Sequence, residues 1–250
     1  MAEVRRRRSV SQAFLLDLLL GQLAEWRAAE SAPADVVDLG GGTGGIASSL
    51  AARGYGVTVI DPSPDALASL ERRTAEAGLS GRIRGVQGDA TDLVDIVGLP
   101  TVATQGRSGA DVVICHRVLE VVDSPGQALA AIASVLRPGG VLSLVVSQRH
   151  SVVLSQALAG HIGLARRTFA DPSRFDHDQV LDLVRGAGLE VVSSHGVGAV
   201  AGHVAESLVE SEAGAYGELV ELEREISQDA AFRALAPLVH VFARKPAESR

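Results

Sequence analysis

The sequence predicts an α/β protein built on a doubly wound parallel sheet. Short runs rich in Val, Ile and Leu alternate with helical segments, as expected when parallel strands are buried on both faces. The first of these runs leads directly into a glycine-rich turn and then a helix. The 250 residues, 46% hydrophobic and 21% charged, suffice for a sizeable core. A coiled coil, a disordered chain and a collagen-like chain are therefore excluded.

Residues 1–30 predict an amphipathic N-terminal helix rather than an export signal. Arg5 to Arg8 followed by an apolar run resemble a signal peptide, but Asp17 interrupts the run and no small-residue cleavage site follows. No apolar run in the chain reaches the ~18 residues of a membrane span. The apolar side chains of this segment fall on one helical face, namely Phe14, Leu15, Leu18, Leu19, Leu23 and Trp26.

Residues 35–147 contain the alternating strands and helices and predict the cofactor-binding core. Helices are expected over residues 46–53, 63–77 and 125–136, and residues 98–109 predict a polar loop. A turn at residues 138–140 leads into the fifth strand. The predicted strands are Val36–Leu39, Val57–Asp61, Ile83–Gln87, Asp111–Cys115 and Val141–Val146.

Beyond the fifth strand the alternation changes. Residues 148–175 carry arginine and histidine without a clear strand, which predicts a helical cap or substrate-facing insertion. Residues 176–246 are expected to complete the sheet, through a helix over 178–186, a strand over 190–192, an acidic helical stretch over 206–229 and a last strand over 240–243. His240 lies in that strand and is predicted to be a core histidine. We expect residues 1–250 to form a single domain.

Charge and cysteine content narrow the classes of function. The net charge of −7 gives no overall positive field that would attract nucleic acid or an anionic membrane. Cys115 is the single cysteine, which excludes a disulfide framework and a cysteine-rich metal site and favours a cytoplasmic location. The histidines show no metal-ligand spacing, so we predict no metal.

The glycine-rich turn predicts a nucleotide site. Gly40, Gly41 and Gly42 let the backbone approach a ligand closely, and the N–H groups of the following helix face that ligand. Asp61, at the end of the second strand, can accept hydrogen bonds from both hydroxyls of a ribose. The G-x-G-x-x-G spacing that ends at Gly45 suits NAD as well as S-adenosylmethionine. These residues predict an adenosine-bearing ligand without choosing between the two.

Three features favour S-adenosylmethionine over NAD. Asp38, just before the glycines, can attract a sulfonium or ammonium group, whereas it would repel a pyrophosphate. Asp89 closes the third strand, where it can accept a hydrogen bond from the adenine amino group. Tyr55 and Tyr216 both lack the lysine four residues further on that a short-chain dehydrogenase would need. Hydride transfer is therefore the weaker alternative.

The chain resembles the class I S-adenosylmethionine-dependent methyltransferases over residues 35–147. The likeness rests on five motifs in the expected order, VVDLGGGTGG, VTVIDPSP, VQGDATD, DVVICHRVLEVVDSP and VLRPGGVLSLVVS. It implies a Rossmann-like sheet of seven strands with the last one antiparallel, and S-adenosylmethionine as the cofactor. It also implies cofactor contacts at Gly40, Gly41, Gly42, Asp61, Pro62, Asp89, Ala90 and His116.

A narrower likeness extends into the C-terminal part. The stretches LSLVVSQRH, LVELEREISQD and HVFARKP resemble bacterial tRNA 5-carboxymethoxyuridine methyltransferases, enzymes that esterify a wobble-uridine carboxylate. Two departures stand out. The arginine that grips the methionine carboxylate in that family is replaced near Ser11, and the family's lysine-rich stretch is reduced to residues 165–168. The likeness implies tRNA as one possible partner.

The segment after the fifth strand predicts the charge of the methyl acceptor. In an open parallel sheet the ligand crevice lies beyond the carboxyl ends of the strands. Arg149, His150, Arg166 and Arg167 make this segment basic within an acidic chain. A guanidinium binds a carboxylate or phosphate through paired hydrogen bonds. We therefore expect an anionic acceptor, either a small acid or tRNA. An inactive cofactor-binding module is a further alternative, suggested by Ser11 and by the acidic residues Glu218, Glu221, Glu223 and Glu225.

Overall fold

The computed structural model describes residues 9–29, 34–97 and 109–247. Their helices and strands follow one another in the order α1 (Val10–Ala29), β1 (Asp35–Leu39), α2 (Gly45–Ala51), β2 (Gly56–Asp61), α3 (Pro64–Glu76), β3 (Ile83–Gln87), α4 (Leu93–Val97), β4 (Ala110–His116), α5 (Pro125–Val135), β5 (Leu136–Ser147), α6 (Arg149–Leu158), α7 (Ile162–Ala170), α8 (His177–Gly186), β6 (Glu190–Val197), α9 (Glu206–Ser211), α10 (Ala215–Ile226), α11 (Ala230–Leu235) and β7 (Leu238–Arg244). Arg5 to Arg8 lie outside the described residues, and so does most of the predicted loop over 98–109.

The strands form a seven-stranded sheet in the order β3-β2-β1-β4-β5-β7-β6. Strands β1 to β5 are parallel. Strand β7 runs against them, because Gly139 and Gly140 near the start of β5 bond to Lys245, whereas Gln148 just after β5 bonds to Pro237. The predicted doubly wound sheet with an antiparallel last strand is confirmed.

The register of the sheet brings the carboxyl ends of four strands to one edge. Leu39 of β1 pairs with Ile60 of β2 on one side and with Cys115 of β4 on the other. Asp61 at the end of β2 pairs with Gln87 at the end of β3. All residues of β1 are buried, as the Val-rich sequence predicts for a central parallel strand. Residues that follow these strands therefore gather at a common edge.

The chain divides into two compact units. The sheet unit comprises Trp26–Val146, Asp178–Ser193 and Val241–Arg250, and the helical unit comprises Met1–Glu25, Ser147–His177 and Ser194–His240. Within the helical unit, Val10 packs against Leu219 and Val220 of α10. Within the sheet unit, the indole Nε1 of Trp26 donates to the carbonyl of Gly139 over 3.1 Å. Across the described ranges, no helix combines the length and apolar character needed to cross a membrane.

The structure differs from the sequence predictions in four local features. The acidic stretch 206–229 is helical, as predicted, but it is divided into α9 and α10, between which Gly214 adopts a left-handed conformation (φ 94°). A further helix, α11, begins after Asp229, whose side chain accepts hydrogen bonds from the N–H groups of Ala231 and Phe232. Helix α4 was not predicted. Most apolar positions predicted to be buried on α1 are buried, but Leu15 and Leu18 are partly exposed.

Candidate cofactor-binding site

The turn after β1 needs glycine for two separate reasons. Gly40, Gly42 and Gly44 have positive φ values of 70°, 55° and 75°, which side-chain-bearing residues rarely adopt. Gly41 has no such φ, but a Cβ there would lie 2.6 Å from the Oδ2 of Asp38. The turn therefore requires glycine at these positions, and with no Cβ atoms its backbone leaves room for a ligand to approach closely.

Asp61 fixes the shape of this turn. Its Oδ2 accepts a hydrogen bond of 2.8 Å from the N–H of Gly42, and its Oδ1 accepts one of 2.9 Å from the N–H of Ser63. Ser63 in turn caps α3 by accepting from the N–H of Ala66. Each carboxylate oxygen retains a second lone pair. Asp61 can therefore hold the turn and accept hydrogen bonds from a ligand together.

Asp38 is the buried acid of the site. Its side chain is almost fully buried, and its Oδ2 has no hydrogen-bond partner among the described residues. Burial, together with the nearby charge of Asp61, raises the pKa of Asp38 to about 7. A buried polar atom without a partner calls for an explanation. A cationic group of a bound molecule would supply the missing partner, so Asp38 and the glycine turn fit S-adenosylmethionine.

The third strand places Asp89 and Ala90 at the neighbouring strand end. The carboxylate of Asp89 is exposed, and its Oδ1 accepts hydrogen bonds from the side chain and the N–H of Thr91, at 2.6 and 2.7 Å. These bonds lower the pKa of Asp89. Ala90 is buried. Pro62 is exposed on the adjacent strand end, where its carbonyl lies 3.5 Å from the Nε2 of Gln87.

His116 ends β4 and is a neutral imidazole. Its Nε2 lies 2.8 Å from the Oγ of Ser143 on β5, and burial lowers the pKa of His116 to about 3. The next residue, Arg117, has a left-handed conformation (φ 61°) and an exposed side chain. The sequence does not predict the backbone of Arg117, because nothing in the neighbouring residues indicates a positive φ. Val118 then touches the glycine turn, since its Cγ2 lies 2.5 Å from the position of a Cβ on Gly40.

The residues predicted to contact the acceptor lie in the helical unit, where they differ in their ion pairing. Arg149 forms an ion pair of 2.6 Å with Asp176 and faces the ring of Phe169. Arg166 and Arg167 are exposed on α7 and have no ion pair with any described residue, and His150 is exposed on α6. The charge of Arg149 is therefore compensated, and the two arginines of α7 carry the uncompensated positive charge.

The remaining predictions concern the core histidine, the single cysteine and a possible metal site. His240 is fully buried, as predicted, and its ring stacks on that of His195 with 6.3 Å between centroids. Cys115 is buried in β4. Among the residues that the structure describes, no group of three or more His, Cys, Asp or Glu side chains is arranged to hold a metal ion.

The class of protein follows from this site and from comparison with known families. Residues 6–194 match the family described as "Methyltransferase domain", and the chain belongs to it. The seven-stranded sheet with an antiparallel last strand is the architecture that the resemblance implied, and the glycine turn and Asp61 at the end of β2 belong to the motifs on which the resemblance rests. The chain is an S-adenosylmethionine-dependent methyltransferase. This finding disfavours the nicotinamide oxidoreductase and the inactive module considered above.

Individual proteins and solved structures within this class are similar to the chain over most of its length. The tRNA 5-carboxymethoxyuridine methyltransferase of Escherichia coli (strain K12) is 29% identical over 219 residues, which cover 84% of this chain and 80% of that protein. A ubiquinone biosynthesis O-methyltransferase of Burkholderia thailandensis is 29% identical over 166 residues, covering 65% of this chain and 67% of that protein. The plantazolicin methyltransferase BamL, solved in complex with a triazolic desmethylPZN analog and SAH, superposes with a TM-score of 0.58 at 13% identity, over 94% of this chain and 86% of that one. The last likeness concerns the fold alone.

Proposed function

We propose that this enzyme transfers the methyl group of S-adenosylmethionine to an anionic acceptor that carries a carboxylate. The observation that carries this proposal is the charge of the helices after β5. Arg166 and Arg167 are exposed without a described acidic partner, and no Asp or Glu occurs between residues 149 and 170. Exposed guanidinium groups favour carboxylate or phosphate oxygens, which they bind through two parallel hydrogen bonds.

The cofactor part of the proposal assigns roles within the sheet unit. The backbone of Gly40, Gly41 and Gly42 approaches the cofactor, and Asp38 faces its cationic end. Asp61 accepts hydrogen bonds from the ribose hydroxyls. The adenine lies against the residues of the neighbouring strand ends, and His116 contacts the cofactor from β4; those strand-end residues are Pro62, Asp89 and Ala90. The bound cofactor supplies a methyl group that is already activated by its sulfonium.

Methyl transfer to a carboxylate then requires the protein mainly to align the carboxylate with the methyl group. A carboxylate is ionised at pH 7 and needs no general base, unlike a hydroxyl or an ammonium group. The enzyme's contribution is to hold the nucleophile in line with the methyl group and to exclude water. His116→Ala and His150→Ala should therefore retain turnover, with a kcat that is flat between about pH 6 and 8 at saturating cofactor. Complete loss of turnover with cofactor binding intact would instead indicate a hydroxyl or amine acceptor.

A second candidate, esterification of 5-carboxymethoxyuridine in tRNA, is favoured by the surface of α7. Phe169 is 61% exposed and Ile162 is 57% exposed, and both lie on the helix that carries Arg166 and Arg167. Exposed aromatic rings stack on unpaired bases, and arginines neutralise phosphates. The relatives that modify tRNA at this nucleoside support the same candidate. For tRNA, binding should weaken steeply with salt, whereas for a small acid salt should matter little.

The experiment compares acceptors and a double variant. Mass spectrometry of tRNA nucleosides and of small metabolites from a deletion strain identifies the acceptor that loses its methyl group. With that acceptor, replacing Arg166 and Arg167 together by Gln should raise the KM for the acceptor about tenfold or more and leave the Kd for S-adenosylhomocysteine unchanged. Arg72→Gln, which replaces an exposed arginine on α3 by the same residue, is the control. Unchanged acceptor kinetics in the double variant would refute the anionic-acceptor assignment.

A further inference from the structure

Arg117 holds an unusual position at the edge of the sheet. Among the described residues it is the only non-glycine residue with a positive φ, at 61°. Its side chain is exposed and forms no hydrogen bond or ion pair with any described residue. Left-handed backbone is disfavoured for a side-chain-bearing residue, and such conformations cluster at ligand sites. The backbone of Arg117 is therefore held in place by its surroundings.

Those surroundings are the glycine turn and the fifth strand. The N–H of Arg117 donates a hydrogen bond of 2.7 Å to the carbonyl of Val145 on β5. On the other side, the Cγ2 of Val118 lies 2.5 Å from the position of a Cβ on Gly40. His116, the residue before, is fixed by the Oγ of Ser143 at 2.8 Å. All of these contacts lie within the sheet unit, so they place the start of the Arg117 side chain beside the glycine turn.

The acidic residues of the site leave one charged group of the cofactor without a counterpart. Asp38 and Asp61 offer negative charge for the ammonium, the sulfonium and the ribose of the cofactor, but its methionine part also carries a carboxylate. Arg73 also reaches the turn, but its Nη1 is already bonded to the hydroxyl and carbonyl of Thr43, at 3.0 and 3.3 Å. Ser11 of α1 carries a hydroxyl rather than a guanidinium. It lies in the helical unit, beside Gly198.

We propose that Arg117 binds the carboxylate of the cofactor's methionine moiety. The inference rests on S-adenosylmethionine being the cofactor and is independent of the acceptor. A guanidinium presents two parallel N–H donors that match the two oxygens of a carboxylate. An exposed arginine with no described partner, anchored beside the turn that the cofactor approaches, meets that requirement.

The test separates the amino-acid part of the ligand from its nucleoside part. The Kd values of S-adenosylhomocysteine and of 5′-methylthioadenosine, which lacks the amino-acid carboxylate, are measured by calorimetry for the wild type and for Arg117→Met. The variant should bind S-adenosylhomocysteine about 10- to 100-fold more weakly and 5′-methylthioadenosine with unchanged affinity. Arg117→Gly removes the guanidinium but suits the left-handed backbone, and it should show the same selective loss. Arg72→Met should behave like the wild type.

Three results would overturn the proposal. If S-adenosylhomocysteine binds both Arg117 variants as tightly as the wild type, the guanidinium does not hold the cofactor. If both ligands weaken equally, Arg117 acts through the shape of the site. If only the acceptor KM rises, Arg117 belongs to the acceptor. Failure of the wild type to bind either ligand would instead refute the cofactor assignment, which keeps the two failures distinct.

Discussion

The carboxyl group of Asp38 lies directly beneath Gly41, because a Cβ on that glycine would be 2.6 Å from both the Cγ and the Oδ2 of the aspartate. Real Cβ atoms do not approach other heavy atoms so closely. The buried acid and the glycine turn are therefore interdependent, and the side chain proposed to face the cofactor's cationic end keeps its position only while Gly41 has no side chain.

The first prediction concerns this contact. Gly41→Ala should displace the Asp38 carboxyl group and weaken binding of S-adenosylhomocysteine at least about tenfold, measured by calorimetry. Gly126→Ala, in α5, is the control, because a Cβ there meets nothing within 4 Å. It should leave the affinity unchanged. Equal affinities for wild type and Gly41→Ala would separate Asp38 from the cofactor site.

The second prediction links cofactor binding to the proton on Asp38. The pKa of this carboxyl group is raised to about 7 by burial and by the charge of Asp61, so half of the ligand-free protein carries the proton at that pH. A ligand ammonium favours the ionised form. The affinity for S-adenosylhomocysteine should therefore rise about eightfold between pH 6 and 7.5, with release of a proton. In Asp38→Asn this part of the pH dependence should vanish; an identical slope in the variant would contradict the assignment.

The third prediction concerns stability in acid. Burial lowers the pKa of His116 to about 3 in the folded protein, whereas an unfolded histidine takes up its proton near pH 6.5. Between these values the unfolded state binds more protons, so stability falls as the pH drops, by as much as about 1.4 kcal/mol per unit from this group. His195, whose pKa is lowered by burial and by Arg233, adds a loss of the same sign. Urea unfolding at pH 7.5, 6 and 5 should show a shallower decline for His116→Gln, and parallel declines would argue against burial of a neutral His116.

The fourth prediction separates stability from function. Asp35 and Asp111 lie at the starts of β1 and β4, at the ends of these strands that face away from the candidate site. Arg137 bridges the two carboxylates, with N–O distances of 3.1 and 2.6 Å. These side chains are largely buried, so Arg137→Met leaves two carboxylates without their cation and should destabilise the protein by about 3–5 kcal/mol. Arg84→Met, exposed on β3, should change stability by less than about 0.5 kcal/mol. Urea midpoints measure both, and equal midpoints for the two variants would show that the bridge contributes nothing.

The cofactor side of the molecule was predictable because its signals are local. A Val-rich strand, a glycine turn and a helix follow one another within residues 35–51, Asp61 ends β2, and Asp89 lies two residues after the end of β3. Hydrophobic continuity identifies buried parallel strands, and parallel strands bring their carboxyl ends to one edge. The antiparallel last strand came from the family resemblance rather than from periodicity, and the order of the strands in the sheet was not predicted.

Pairing between distant residues could not be predicted in this way. The sequence groups Glu223 with the other acidic residues of a helical stretch, and nothing in it indicates that this side chain is fully buried. Its two oxygens accept hydrogen bonds of 2.7 to 3.2 Å from four consecutive backbone N–H groups, those of residues 198–201. Arg149, predicted to face the acceptor, is likewise paired with Asp176. Hydrophobic periodicity does not predict such partners, because they lie far apart in the sequence or on another helix or strand.

The nature of the product tests the proposed function most directly. A methyl ester is cleaved by mild base and releases methanol, whereas methyl groups on nitrogen or on ether oxygen remain bound. The wild-type enzyme is incubated with methyl-labelled S-adenosylmethionine and with tRNA or small acids from a strain that lacks the enzyme, and the label volatilised by base is counted. The proposed transfer to a carboxylate predicts that nearly all incorporated label becomes volatile; label that withstands base would contradict it.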